Sequence, residues 1–431
     1  MKVVIINKSD TTGGAAVVSR RLTEALRNEG VDARMLVAEK LSDSPFVELA
    51  APKWKIKWCF LWERIKIFCA NGFNRSTLFK IDTGEIGLPL WRHPLVKNAD
   101  AILLNWVNQG MLSLNGVGRI LKLGKTVVWT MHDMWEMTGI CHHAGTCLNF
   151  QNQCGNCPLL SDKASPYDIS FKTHSLKQKV YNSGANKIIF VAVSNWLKNK
   201  STESTLLNNQ KVVVIPNAFR SIETPNDIKG QDNPKGKQQL AGKIRILFVA
   251  ARIDDPIKGL DALRIASEIL AREYPVIAGR LEIAFLGNIK NPKEIDGFGL
   301  PVINLGSVKG DENIARIYRD SEIVVSASHY ETLPGTMVEA QAYGAIPVAF
   351  NQGGQADIIN HLHTGYLADY NSDINIRARN LAEGIKWAVS IIESPEQYRE
   401  MKNKMEQNVK ERFSYETIAS KYISLIEIQQ G

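Results

Sequence analysis

The chain reads as two α/β domains, each built on a doubly wound parallel sheet, and three observations carry that reading. Short apolar runs of four to six residues recur through both halves, spaced widely enough for a crossover helix between them. At 431 residues the chain is too long for one ordinary core and fits two domains of roughly 200 residues. Between Glu223 and Gly242 the composition turns to Pro, Asn, Asp, Lys, Gly and Gln, which cannot bury a core and reads as a linker.

Residues 2–7 are the first buried strand, and residues 15–28 follow with Val18, Leu22, Ala25 and Leu26 at helical spacing. Further strands of the first domain are expected at 101–104, 126–129, 188–193 and 212–215. Those of the second are expected at 245–250, 281–286, 302–305, 322–325 and 346–350. The expected organisation is a first domain over 1–225 with a Cys-rich insertion at 141–157, a linker over 226–242, a second domain over 243–405, and a terminal helix within 406–431. That helix carries Ile418, Tyr422, Leu425 and Ile426 on one face, which suits packing in its own domain or a return to the first.

No apolar run reaches the ~18 residues of a membrane span. The opening apolar stretch of residues 1–7 is too short for a signal peptide and has no cleavage site, so the expected location is the cytoplasm. In that compartment the six cysteines are expected as free, metal-bound or catalytic thiols. The formal charge of +8 favours anionic partners without choosing among them, and the basic residues form no recognisable nucleic-acid module, so none is expected to bind.

The most informative stretch is Glu331-Thr-Leu-Pro-Gly-Thr-Met-Val-Glu339. It follows a strand-like run, and its Pro-Gly step marks a helix start whose free N–H groups, around Leu333, Gly335 and Thr336, suit a diphosphate. Glu331 precedes that helix and Glu339 lies about one turn inside it, so the two carboxylates can bracket the phosphates. Upstream, Arg252 and Lys258 follow the first strand of the second domain, where loops line the cleft of an open sheet and two cations can take up phosphate charge. Gly13 and Gly14 sit between the first strand and first helix, where absent side chains allow a ligand close to the backbone. His132 follows the strand at 126–129 directly.

This combination resembles the retaining glycosyltransferases of family 4, with the Glu-x7-Glu spacing, Gly344 and Pro347 after it, and Arg-x5-Lys-Gly before it. The context of His132, from Thr130 to Gly139, is similar to a capsular and colanic-acid-type subgroup. One departure is Leu333-Pro334, where many members carry Phe-Gly. The resemblance implies a GT-B fold, two Rossmann-like domains facing across a cleft, and transfer of a sugar from a nucleotide diphosphate sugar to a hydroxyl of a saccharide or polyprenyl-linked acceptor in surface polysaccharide biosynthesis. It implies that Arg252 and Lys258 stabilise the departing diphosphate, so that no catalytic cofactor or metal is needed. Glu331 then holds the sugar, Glu339 the ribose, His132 positions the donor sugar, and Gly13-Gly14 faces donor phosphate and acceptor. A GT-B epimerase or hydrolase, and a non-catalytic sugar-nucleotide binder at a membrane, are the alternatives.

Two segments fall outside that pattern. Cys141, Cys147, Cys154 and Cys157 lie within seventeen residues, and the last two have zinc-ligand spacing; a structural zinc is expected there, with free or redox-active thiols as the alternative. Over 53–68, Trp54, Trp58, Leu61, Ile65 and Phe68 form one helical stripe among lysines. That stripe reads either as a peripheral contact with the inner face of the cytoplasmic membrane or as an ordinary helix packed on the first domain. Cys59 and Cys69 read as packing residues.

Overall fold

The computed structural model describes residues 1–183, 188–220 and 243–430, so the expected linker at 226–242 and the boundary at 225 lie outside the described residues. The chain forms two compact units, Met1–Ala218 with Tyr415–Gly431, and Phe219–Ser414.

The first unit holds seven strands: β1 Lys2–Ser9, β2 Asp32–Glu39, β3 Val47–Leu49, β4 Ala101–Leu104, β5 Thr126–Met131, β6 Ile188–Ala192 and β7 Val212–Val214. Their order is β3-β2-β1-β4-β5-β6-β7 and every pairing is parallel. The second holds six: β8 Ile244–Arg252, β9 Leu281–Asn288, β10 Val302–Gly306, β11 Ile323–Ser326, β12 Ile346–Phe350 and β13 Tyr366–Ala368. Their order is β10-β9-β8-β11-β12-β13, again all parallel. Both sheets are doubly wound, and the strand order reverses beside β1 in one and β8 in the other. Outside the carboxyl ends of the strands at such a reversal is where open α/β sheets bind ligands.

The central strands are legible because helices cover both faces, which makes them continuous apolar runs; all four residues of β4 and all five of β12 are buried. Three strands carry weaker signals. β2 has charges at Asp32, Arg34 and Glu39, with Arg34 exposed, so its run is broken in sequence. β3 and β13 are three-residue strands at sheet edges.

The terminal helix forms within 406–431, over Tyr415–Gln430, and the residues before it belong to another helix that runs across the expected boundary at 405. One helix, Pro395–Phe413, ends in the second unit, Ser414 is extended (φ −60°, ψ 156°), and a separate helix, Tyr415–Gln430, belongs to the first. It buries Ile418, Ala419, Tyr422 and Ile426 against Leu22, Ala25 and Leu26 of the Gly14–Asn28 helix. The Tyr422 hydroxyl meets Thr130 Oγ1 at 2.9 Å, and the Tyr415 hydroxyl donates to Glu24 at 2.8 Å.

Candidate functional site

In the second unit, β8 ends at Arg252 and β11 at Ser326, the two strands that flank the reversal of order. Arg252 is held by two carboxylates, Nε 3.5 Å from Asp254 and a terminal nitrogen 3.4 Å from Asp255. Asp255 also caps the turn Pro256–Lys258 by accepting from the Ile257 amide, which presents Lys258 at the turn's end. Gly259 then takes φ +67°, and a Cβ there would meet the Ala327 carbonyl at 2.0 Å, so only glycine lets this loop lie against the segment after β11. The His329 amide donates to the Ile257 carbonyl at 2.9 Å and fixes the same contact.

That docking brings Lys258 to Glu331. Lys258 Nζ donates to Glu331 Oε1 at 2.6 Å, and Ser328 Oγ donates to the same oxygen at 2.9 Å. Both charged groups are about a quarter exposed, so the pair faces solvent on one side. An ammonium has three N–H donors and the pair uses one, which leaves donors for an anion. The main chain of Glu331 is fixed from the other side by the Gly354 amide, which donates to its carbonyl at 2.7 Å.

The expected helix start is present: Gly335–Ala342 begins after Pro334, with no side-chain cap, and the space beside Gly335 is open. Pro334 stands at the cap rather than inside the first turn, so the Leu333-Pro334 departure removes no N–H from that turn. Leu333 is buried, while Gly335 is exposed and Thr336 half-buried. Glu339, just over a turn in, accepts from the Tyr318 hydroxyl at 2.8 Å. The unit thus gathers Arg252, Lys258, Glu331 and an open helix N-terminus at one reversal of strand order. Ser328 and Tyr318, which orient the two glutamates, carry no sequence signal because a lone hydroxyl acquires its partner only by folding.

In the first unit Gly13 (φ +89°) caps the Gly14–Asn28 helix without a side chain, and nothing lies within 4 Å of where a Cβ would stand on Gly13 or Gly14. His132 follows β5, its Nε2 bonded to Asn105 Oδ1 at 3.0 Å beyond β4. Burial pushes its imidazole down to about 4, against the pull of Asp133, so at neutral pH it is an uncharged hydrogen-bonding group.

The next residue, Asp133, belongs to a buried network. It is buried, accepts from Trp106 Nε1 at 2.9 Å and the Trp135 amide at 2.7 Å, and pairs with His142 Nδ1 at 2.8 Å. His142 Nε2 lies 2.8 Å from Asp82, which also pairs with Arg64. Burial opposes the His142 charge, but Asp133 and Asp82 outweigh it and raise its pKa to about 10. Burial and then the Asp82 charge push Glu63 beside this network up to about 8. Sequence reading missed this network because its members lie on four separate segments.

Cys141, Cys147, Cys154 and Cys157 line one small cavity, and Cys154 Sγ accepts from the Gly139 amide at 3.2 Å. Among the described residues no group of three or more His, Cys, Asp or Glu side chains is gathered to hold a metal ion, so the zinc expectation stands on spacing and the shared cavity. Cys69 is exposed rather than a packing residue, and Cys59 is half-buried.

Comparison with solved structures places this architecture. The chain superposes on a glycosyltransferase from Rickettsia africae with a TM-score of 0.62 and 16% identity, covering 100% of this chain and 98% of that one. It superposes on HepE of Anabaena, solved with UDP and glucose, with a TM-score of 0.59 and 16% identity over 99% and 100%. The fold is GT-B. Within this GT-B chain, residues 231–412 match the family model of glycosyl transferases group 1. An uncharacterized glycosyltransferase of Haemophilus influenzae is 27% identical over 194 residues, 44% of this chain and 49% of that protein. Another from Methanocaldococcus jannaschii is 26% identical over 247 residues, 55% and 59%. The GT-B chain therefore spans about half to three-fifths of the length of these curated relatives. The group 1 match encloses Arg252, Lys258, Glu331 and Glu339.

Proposed function

We propose that the protein is a retaining, metal-independent glycosyltransferase that moves a hexose from a nucleotide diphosphate sugar to a hydroxyl of a saccharide or polyprenyl-linked saccharide, in surface polysaccharide biosynthesis of the capsular and colanic-acid type. The observation that carries the reading is the Lys258–Glu331 pair, 2.6 Å apart beside the uncapped helix Gly335–Ala342. It couples a cation suited to phosphate with a carboxylate suited to sugar hydroxyls.

In this reading the Gly335 and Thr336 amides, with the positive end of the helix, take the diphosphate. Arg252 and Lys258 neutralise the charge that grows on it as the glycosidic bond breaks, so the barrier falls through groups already in place. Glu331, held by Lys258 and Ser328, accepts from sugar hydroxyls while the ring gains positive character. Glu339, oriented by the Tyr318 hydroxyl, takes the ribose. In the first unit, Gly13 and Gly14 allow close backbone approach of a ligand and His132 offers an uncharged donor or acceptor for a sugar. The acceptor is met at the inner face of the cytoplasmic membrane.

A thermal-shift screen of nucleotide sugars identifies the donor, because a ligand stabilises by RT ln(1 + [L]/Kd). Isotope transfer from that donor into a lipid or saccharide extract, with the product's anomeric configuration read by NMR, then tests the reaction. Consumption of donor at the same rate without any acceptor would overturn transfer in favour of an epimerase or hydrolase.

A further inference from the structure

The helix Lys53–Ala70 is built inside out. Its side toward the first unit buries Ile56 and Ile67 but also the charged Glu63 and Arg64. The opposite side exposes Trp54 (61%), Trp58 (53%), Leu61 (43%), Trp62 (52%) and Ile65 (41%). At 100° per residue these five fall within one narrow arc. Just beyond the helix, Phe73 and Phe79 are exposed by 64% and 58%. Seven of the fifteen exposed large hydrophobic side chains among the described residues therefore lie between positions 54 and 79.

The buried polar face fixes this orientation. Arg64 pairs with Asp82 and donates to the Leu78 carbonyl at 2.6 Å, while Glu63 accepts from the Gly84 amide at 3.1 Å. Rotating the helix to hide its tryptophans would bring these buried groups out and lose their partners, so the aromatic stripe is held outward. An ordinary packed helix, the plainer reading of its sequence, would do the reverse.

The charges around the stripe select its partner. Lys53, Lys55, Lys57, Arg75 and Lys80 are exposed, Lys66 is exposed but pairs with the exposed Glu85, and the one carboxylate between positions 53 and 80 is the buried Glu63. Lys55 and Lys57 flank the stripe on either side, and Lys55 Nζ lies 5.3 Å from the Trp54 ring centre. Tryptophan rings belong at the boundary between headgroups and acyl chains, while lysine stems lie along apolar surface and keep the ammonium among anionic headgroups. We propose that this face docks the protein in the plane of an anionic lipid bilayer, with Trp54, Trp58 and Trp62 inserted and the lysines on the headgroups. The surface argument stands on these residues alone; it rests on the proposed transfer only in making the bilayer the place where a lipid-linked acceptor is met.

Flotation of the whole chain with phosphatidylcholine vesicles, with and without phosphatidylglycerol, is the test. The protein is expected to float with the anionic vesicles and about tenfold less with the neutral ones. The triple variant Trp54→Ala, Trp58→Ala, Trp62→Ala is expected to lose flotation at an unchanged Tm, because the removed side chains are exposed. Brominated lipids should quench tryptophan fluorescence of the unaltered protein, a readout that needs no variant. Absence of quenching, equal flotation of the triple variant, or retention by a DNA duplex in place of vesicles would overturn the proposal. Arg252→Ala should float like the parent and the triple variant should keep the thermal shift given by the donor, so failure of docking and failure of transfer are read separately.

Discussion

At the scale of single residues, the two cations of the second unit separate stability from activity. The Lys258–Glu331 pair is partly solvent-exposed, and such pairs contribute about 0–1 kcal/mol to folding. A preorganised donor facing developing charge contributes ~10²–10³ in rate. Lys258→Ala and Arg252→Ala are therefore each expected to lower transfer by about two orders of magnitude while moving Tm by only a few degrees, read by donor turnover beside a thermal melt. Full activity in both would remove them from the site. The buried pair behaves oppositely. His142 sits between Asp82 and Asp133, and removing one member of a buried ion pair costs about 3–5 kcal/mol. Its pKa is about 10 in the fold and about 6.5 in an unfolded chain, so the folded state binds the proton more tightly. The stabilisation is complete below about pH 6.5 and disappears as pH rises through 10. The stability gap between the parent and His142→Gln, measured by urea unfolding, is expected to shrink over that window.

At the scale of elements, the segment after β5 is fixed by buried polar groups rather than by secondary structure. Lys177 donates to the carbonyl of Thr138 at 3.0 Å and to that of Trp135, with its ammonium 3.5 Å from the Trp135 ring centre. The thiols beyond it follow the same logic. Burial pushes Cys141 and Cys154 up to about 11 and Cys157 up to about 12, which keeps them as thiols at neutral pH. Iodoacetamide at neutral pH should modify the exposed Cys69 in the folded protein and leave these three until the chain is unfolded, as read by mass spectrometry. Elemental analysis decides the zinc expectation for the four: zinc well below one ion per chain ends it. Helix geometry also explains a difference between sequence and structure here. Periodicity placed Trp54, Trp58 and Leu61 on one face of the Lys53–Ala70 helix, but a period does not say which face is inward. Glu63, Arg64 and their partners near Asp82 decide that.

At the scale of the whole molecule, the last helix is spatially part of the first unit although the second unit's sequence lies between them. Ile418, Tyr422 and Ile426 are buried against the Gly14–Asn28 helix, and side chains of this kind contribute about 1.5–3 kcal/mol each. Removing residues 415–431 is expected to destabilise the first unit by about 5 kcal/mol or more. The check is faster hydrogen exchange in the Gly14–Asn28 helix, with the helices of the second unit unchanged. Protection unchanged in both would overturn that account.

The sequence by itself determined the fold class, because strands buried on both faces become uninterrupted apolar runs, and it marked Arg252, Lys258, Glu331 and Glu339 because they come after such runs in the spacing of the family they resemble. It left β2 unread, since Arg34 and the terminal charges break the run, and β3 and β13, whose three residues lack the β-branched run that marks the equally short β7. Only the tertiary structure decided that Lys258 meets Glu331 across 73 positions, that Asp133 pairs with His142, and that the tryptophans of Lys53–Ala70 face outward. The physical reason is common to all three. Apolar burial is a property of a segment and leaves a pattern in it, whereas a polar group is satisfied by one partner at one distance, and folding supplies that partner from elsewhere in the chain.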